Sequence, residues 1–302
     1  MSTDPTKKLN ANGTDFVAIV HRDTYSLIDP KSANLAGKSV LITGASKGIG
    51  RVTARSFAQA GASRIAIWAR SLSSLQETKA EVEAAAVSLG KPLPEVLVSA
   101  VDVTSHSGVE AAAKQVDEAW GGLDILINNA GILEPWIKLA DSDPDIWWGG
   151  LEINLKGTYL VTRALIPLLL EKSEGEKTII TLSSLGAHLL QSGAHSYEIA
   201  KLAQLRLMEF VMCDYGDQGI LAYSIHPGGV ATGMGISLPT QYHQALTDTP
   251  ELPAHTLVWL SKERREWLAG RYVNSQWDMD ELLKKKDTIV KQDLLKVRMA
   301  VE

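Results

Sequence analysis

The chain has 302 residues, with 30 basic and 35 acidic side chains, a net charge of −5 and 45% hydrophobic residues. That mixed, mildly negative balance argues against a nucleic-acid binder working through a basic surface. The single cysteine, Cys213, rules out an internal disulfide framework and any Cys-based zinc cluster, and no metal site is expected.

The composition is that of an ordinary globular protein, and about 150 residues per domain sets a starting expectation of two domains. The first fifteen residues are polar and hold no signal-like apolar core. The longest strongly apolar stretch, 164–170, is far short of the roughly 20 residues of a membrane span. The final residues carry neither a lipidation nor a peroxisomal signal. The expectation is a cytoplasmic protein with no membrane partner.

Residues 1–36 are polar, and Asp4-Pro5, Asn12-Gly13 and Asp29-Pro30 read as turns and loose chain. Within them, 16–20 fits a short strand or a docking arm. From Lys38 a regular alternation begins. Strands are predicted at 39–43, 64–69, 95–100, 123–127, 177–182 and 220–225, and helices at 49–60, 72–89, 106–120, 145–171 and 196–217. Short apolar strands alternating with amphipathic helices imply an α/β fold, a single doubly wound parallel sheet of Rossmann-like type with helices on both faces. The unbroken rhythm replaces the two-domain expectation with one domain over 37–275, preceded by an N-terminal arm and followed by a tail, 276–302. Residues 231–253 lack a clear period and read as a lid over the carboxyl edge of the sheet, centred on 233–253. A helix at 254–268 and a last strand at 270–273 complete the pattern.

Thr43-Gly44-Ala45-Ser46-Lys47-Gly48-Ile49-Gly50 lies between the first strand and the first helix. Glycines there let the backbone turn sharply and approach a pyrophosphate at the helix N-terminus, so Gly44, Ser46, Lys47, Gly48, Ile49 and Gly50 are candidate dinucleotide contacts. An acidic residue at the end of the second strand would bind a free ribose 2′-hydroxyl. The strand ends Trp68-Ala69-Arg70 instead. A 2′-phosphate carries nearly two negative charges and suits a guanidinium and an ammonium. Arg70 and Lys47 therefore point to NADP(H).

Four further segments follow in order: Asn128-Asn129-Ala130-Gly131, Asn154 within a long helix, Ser183-Ser184 closing the fifth strand, and Tyr197-Glu198-Ile199-Ala200-Lys201 opening the next helix. His226-Pro227-Gly228-Gly229-Val230-Ala231-Thr232 comes after the sixth strand. Together with 43–50, this set resembles the short-chain dehydrogenase/reductase family in its single-domain form, over about residues 36–275. The extended N-terminus and the Gly270-Arg271-Tyr272-Val273 segment are similar to fungal members, many of which reduce ketones in secondary-metabolite pathways.

Hydride transfer to a ketone builds charge on oxygen, which requires an acid to protonate it and a donor to hold it. Tyr197 and Lys201 are four residues apart and share one helix face. An ammonium about 5 Å from the phenol, at an effective dielectric of about 20, favours the phenolate by roughly 3 kcal/mol, or about two pKa units. Tyr197 is thereby expected to titrate near neutrality. The resemblance gives Lys201 a second role on the nicotinamide ribose. It gives Ser184, thirteen residues before Tyr197, the substrate oxygen, with Ser183 as its rival. It makes Asn154 a fourth catalytic residue that bends the long helix and holds a water near the lysine. It also places Asp102 and Val103 at the adenine, Asn129 near the adenosine ribose, and Val230 and Thr232 at the nicotinamide carboxamide. Arg163 either approaches the cofactor along the helix or is a solvated or interface arginine.

His188 reads as a pocket-lining or exposed residue and His226 as structural, while Trp136, Trp147 and Trp148 face the substrate or a neighbouring subunit. The implied activity is an NADPH-dependent oxidoreductase acting on a carbonyl or alcohol of a small-molecule substrate. Leu189, Leu190, Met234, Ile236, Leu238 and Tyr242 suggest that this substrate is apolar and bulky. Imine or aromatic-ring reduction with the same residues is the rival chemistry, and a non-catalytic NADP-sensing protein is the rival class. A homodimer or homotetramer is expected from the family.

Overall fold

In β1 (Ser39–Thr43) alternate side chains enter two different cores, Val40 and Ile42 on one face and Leu41 on the other. β4 (Ile125–Asn128) repeats this with Ile125 and Ile127 against Leu126. Strands apolar on both sides must be covered on both faces, which is the condition of a parallel sheet. The computed structural model describes residues 12–172 and 175–299; the turn expected at Asp4-Pro5 and the last three residues lie outside them. β1 and β4 join β2 (Arg64–Ala69), β3 (Glu95–Ala100), β5 (Thr178–Leu182), β6 (Leu221–His226) and β7 (Tyr272–Asn274) in the order β3-β2-β1-β4-β5-β6-β7. Every adjacent pair is parallel. The chain turns one way from β1 and the other way from β4, so their carboxyl ends open a crevice between them.

The helices are, in chain order, α1 (Gly48–Gln59), α2 (Leu72–Ser88), α3 (His106–Trp120), α4 (Pro144–Leu151), α5 (Gly157–Glu171), α6 (His195–Tyr215), α7 (Gly233–Ile236), α8 (Glu251–Ser261), α9 (Met279–Lys284) and α10 (Lys286–Lys291). Phe57 of α1, Leu75 and Val82 of α2 and Leu257 of α8 pack into one core, whereas Val109 of α3, Leu165 of α5 and Met208 of α6 pack into the other. Side-chain oxygens cap the starts: Ser71 accepts from Ser74 N, Ser105 from Gly108 N, and Asp143 from Asp145 N and Ile146 N. Among the described residues no helix is long and apolar enough to cross a membrane.

The structure departs from the sequence expectations in three places. The helix expected over 145–171 is two helices joined by a π-turn, Glu152–Lys156, in which Gly157 N donates to Glu152 O. The last strand lies two residues later than expected, at Tyr272–Asn274, and the helix placed at 254–268 runs Glu251–Ser261. The segment before β1 is docked, in line with the docking-arm alternative for 16–20, and not the loose chain expected for the rest of 1–36. Val17, Ile28 and Leu35 are buried, and Val20 forms an antiparallel bridge with Trp277. The Glu281 carboxylate accepts from Ala18 N at 2.7 Å and Ile19 N at 3.1 Å, and His21 meets Asp278 at 2.8 Å. Asp248, buried within the 233–253 segment, accepts from Gly229 N and Gln276 Nε2, both at 2.6 Å, and from Arg22 Nη1 at 3.1 Å.

Candidate active site

The crevice is a groove of about 650 Å³ running from β2 across the glycine turn to α6 and the lid. Gly44 and Gly48 take φ of 66° and 56°, a region that costs other residues a steric penalty. No side chain caps the first turn of α1, so its free N–H groups and helix dipole suit an anion. Ser46, Lys47, Gly48, Ile49 and Gly50 line this end of the groove with Arg70, Ser71 and Ser74. Asp102 and Val103 line the adjoining wall, and the Asp102 carboxylate, accepting from Thr104 N and Oγ1, sits below its usual pKa for that reason. Asn129 also lines the groove, where its amide donates to Thr43 O and Gly44 O and ties the glycine turn to β4. A phosphate-rich dinucleotide fits these walls, and the two basic side chains suit an additional phosphate.

At the other end stand Tyr197 and Lys201, one turn apart on α6, with Lys201 Nζ 5.5 Å from the phenol ring centre. Lys201 is buried and donates to Leu182 O at 2.8 Å and Gln204 Oε1 at 3.3 Å. Burial lowers its pKa to about 8, opposed by the carboxylate of Glu134. Tyr197 differs from the sequence expectation. Its pKa is raised, because desolvation dominates and Glu134 and Glu198 add to it, while the neighbouring Ser184 hydroxyl acts in the opposite direction as a hydrogen-bond partner. Burial outweighs the pull of the one ammonium 5.5 Å from the ring.

Ser183 and Ser184 separate cleanly. The Ser183 hydroxyl donates to Lys201 O at 2.8 Å and is turned into α6, although its residue forms part of the groove wall. Ser184 stands beside Tyr197; its oxygen accepts from Gly186 N at 3.0 Å, and its hydroxyl proton is directed toward the phenol oxygen.

Asn154 is fully buried at the π-turn, its side chain paired in both directions with the backbone of Ile132 at 3.0 Å. Its main-chain carbonyl accepts from Thr158 Oγ1 at 2.7 Å and Gln204 Nε2 at 2.6 Å. These two side-chain donors occupy a carbonyl of the helical ladder, which accounts for the interruption. Gln204, which the sequence reading missed, thus joins Asn154 to Lys201 directly. Its only signal was a polar side chain three residues past Lys201.

Glu134 was also missed. It follows Gly131 by three residues, in an otherwise apolar stretch, and burial raises its pKa. Thr232 lines the groove beside Gly233 and Met234 and caps α7. Val230 does not line the groove; it is buried and bridged to Asp248. Arg163 is a correction as well. It lies on the outer side of α5, paired with Glu110 and near His106 on α3, away from the groove. His188 leans edge-on against Tyr272, and His226 accepts from Leu185 N at 3.0 Å, its pKa lowered to about 3 by burial. Trp136 meets Tyr242 of the lid at 4.8 Å between ring centres, whereas Leu190 is wholly exposed.

Residues 38–243 match the family model described as short chain dehydrogenase. The fungal protein "Short chain dehydrogenase citE" of Monascus ruber is 48% identical over 289 residues, covering 96% of this chain and 98% of its own. "Short chain dehydrogenase andI" of Emericella variicolor is 39% identical over 287 residues, covering 95% and 97%. Among solved structures, a short chain dehydrogenase of Escherichia coli CFT073 complexed with NADPH superposes with a TM-score of 0.71 at 25% identity, covering 80% of this chain and 98% of its own. A Mycobacterium marinum short-chain dehydrogenase/reductase superposes with a TM-score of 0.72 at 26% identity, covering 82% and 97%.

Proposed function

The chain belongs to the short chain dehydrogenase family, and from that premise we propose that it is an NADP(H)-dependent oxidoreductase for a carbonyl/alcohol pair on a bulky, largely apolar substrate of secondary metabolism. The observation that carries this reading is Tyr197 at the groove end, flanked by the Ser184 hydroxyl and the Lys201 ammonium. Residues 37–275 act as one catalytic unit, with 233–253 as its lid.

The glycine turn, Asp102, Val103 and Asn129 would hold the dinucleotide, Lys47 and Arg70 its 2′-phosphate, and Thr232 its nicotinamide end. The bound cofactor supplies the hydride. The chain supplies the rest. Ser184 donates to the substrate oxygen and holds it in place as charge develops. The raised pKa keeps the Tyr197 phenol protonated near neutrality, the form that gives its proton to that oxygen. Lys201 stabilises the resulting phenolate and would bind the nicotinamide ribose. Asn154 and Gln204 hold Lys201 and the π-turn in register.

The test is a screen of NADPH consumption, with NADH in parallel, over cyclic, aromatic and polyketide-like ketones. NADPH-dependent turnover of bulky ketones is expected. Tight NADPH binding with no turnover of any carbonyl overturns the enzymatic reading, and a preference for NADH overturns the cofactor assignment. Exposed Tyr159 on α5 and Leu202 and Phe210 on α6 support assembly into a homo-oligomer, which sedimentation measures directly.

A further inference from the structure

Glu134 presents a carboxylate that the protein leaves short of donors. With Trp136, Trp147, His195, Ser196 and Tyr197 it lines a small second cavity of about 40 Å³. Tyr197 lines both this cavity and the cofactor groove, so the two meet at the phenol. The backbone of Gly150 makes room for the carboxylate, because a Cβ there would collide with Glu134 Oε1.

The neighbouring side chains offer it almost nothing. Ser196 has one hydroxyl proton, and Trp147 O at 2.8 Å takes it in preference to Glu134 Oε1 at 3.4 Å. His195 is fully engaged. The Trp147 indole can only donate, so Nδ1 of His195 must accept from it at 2.8 Å, and Nε2 therefore donates to Ile137 O at 3.0 Å. Lys201 gives its hydrogen bonds to Leu182 O and Gln204 Oε1. A carboxylate offers about four acceptor sites, and the main donor left to this half-buried one is its own backbone N–H, so most of those sites are open to a ligand. In the same cavity the indole N–H of Trp136 has no acceptor among the described residues.

We propose that Glu134 is a specificity-determining residue that accepts a hydrogen bond from a hydroxyl of the substrate, and that the substrate is a ring-bearing hydroxy carbonyl compound whose ring rests against Trp136 and Tyr242. This rests on the reading that the carbonyl reacts at Tyr197. A neutral hydroxyl suits the site better than an ammonium, because Lys201 already supplies positive charge there. The ring pair at 4.8 Å supplies the flat apolar wall, and Trp136 supplies a donor for a second oxygen on the ring.

The experiment uses aryl ketones carrying one ring hydroxyl at varied positions, each matched to its O-methyl ether. Calorimetry on NADP⁺-loaded wild type, Glu134→Gln and Glu134→Ala gives affinities, and NADPH oxidation gives turnover. At one ring position the wild type should bind the hydroxy compound about tenfold or more tightly than its ether. That ratio should fall to within about threefold in both variants, with NADPH affinity well below pH 8 unchanged and melting temperature not lowered. Equal or absent affinity for hydroxy and ether compounds in the wild type overturns the proposal, as does a preference that survives in both variants. A Glu134-dependent preference without turnover would remove carbonyl reduction and leave the hydroxyl contact standing. Turnover without the preference would do the reverse.

Discussion

The side-chain carbonyl of Gln204 lies 3.3 Å from the ammonium of Lys201, while its amide reaches Asn154 O at 2.6 Å and Thr158 Oγ1 at 2.9 Å. Only one orientation of the amide satisfies all three, because Thr158 already donates its own proton to Asn154 O. One buried glutamine thus couples the lysine on α6 to the π-turn between α4 and α5. Gln204→Leu leaves an ammonium and a carbonyl short of partners and should cost about 1–3 kcal/mol of stability. It should lower kcat about tenfold with little change in NADPH affinity. Chemical denaturation and steady-state kinetics check both halves.

Lys201 should set a pH limb. With a pKa of about 8 it is charged below that pH and loses its charge above it. If the ammonium binds the cofactor ribose, kcat/KM for NADPH stays level below about pH 8 and falls above it. The Glu134 carboxylate raises the Lys201 pKa, so Glu134→Gln should move the limb to lower pH. A limb unmoved by that substitution would separate the two groups electrostatically.

The two serines should part company. Ser184→Ala removes the hydroxyl donor beside Tyr197 and should lower kcat about 100-fold or more, with the fold intact. Ser183→Ala removes a hydrogen bond to Lys201 O and should appear chiefly as about 1 kcal/mol of lost stability. Tyr197→Phe should abolish turnover while NADPH still binds. Single-turnover kinetics and thermal melts on the three variants decide it.

Cofactor choice should follow Arg70 and Lys47. Replacing either with alanine should weaken NADPH binding about tenfold, and leave NADH binding within about twofold, because only NADPH carries the 2′-phosphate. Fluorescence titrations at two ionic strengths check this; equal losses for both cofactors would place the two side chains elsewhere on the dinucleotide.

Asp248 should control the lid. Its buried carboxylate is the common acceptor for Gly229 N, Gln276 Nε2 and Arg22. Asp248→Ala should destabilise the protein by about 3 kcal/mol and raise substrate KM more than NADPH KM.

The strand pattern was legible because alternate positions such as Val40, Leu41 and Ile42 have to be apolar for both faces of the sheet. The glycine turn, Arg70 and the Tyr197–Lys201 pair were legible because their roles depend on short spacing within one element. Glu134 and Gln204 were not, since each matters through residues on other elements: the cavity it shares with Trp147, Ser196 and Tyr197 for one, the bonds to Asn154 and Thr158 for the other. The Tyr197 titration was misjudged because burial depends on everything packed around it. Arg163 was misplaced because its partner Glu110 sits on α3, more than fifty residues away in sequence.

The docked segment before β1 has a bearing on how the protein is made. Arg22 finds Asp248 across 226 residues, His21 finds Asp278 across 257, and Ala18 finds Glu281 across 263. On the ribosome the first of these residues to emerge therefore waits for the last. Strands β1 to β6 can assemble while that opening stretch still lacks a surface to rest on, and it settles only once α9 is released. The groove is lined by residues up to Met234, whereas the backing of Asp248 and of the opening stretch comes from Gln276, Asp278 and Glu281.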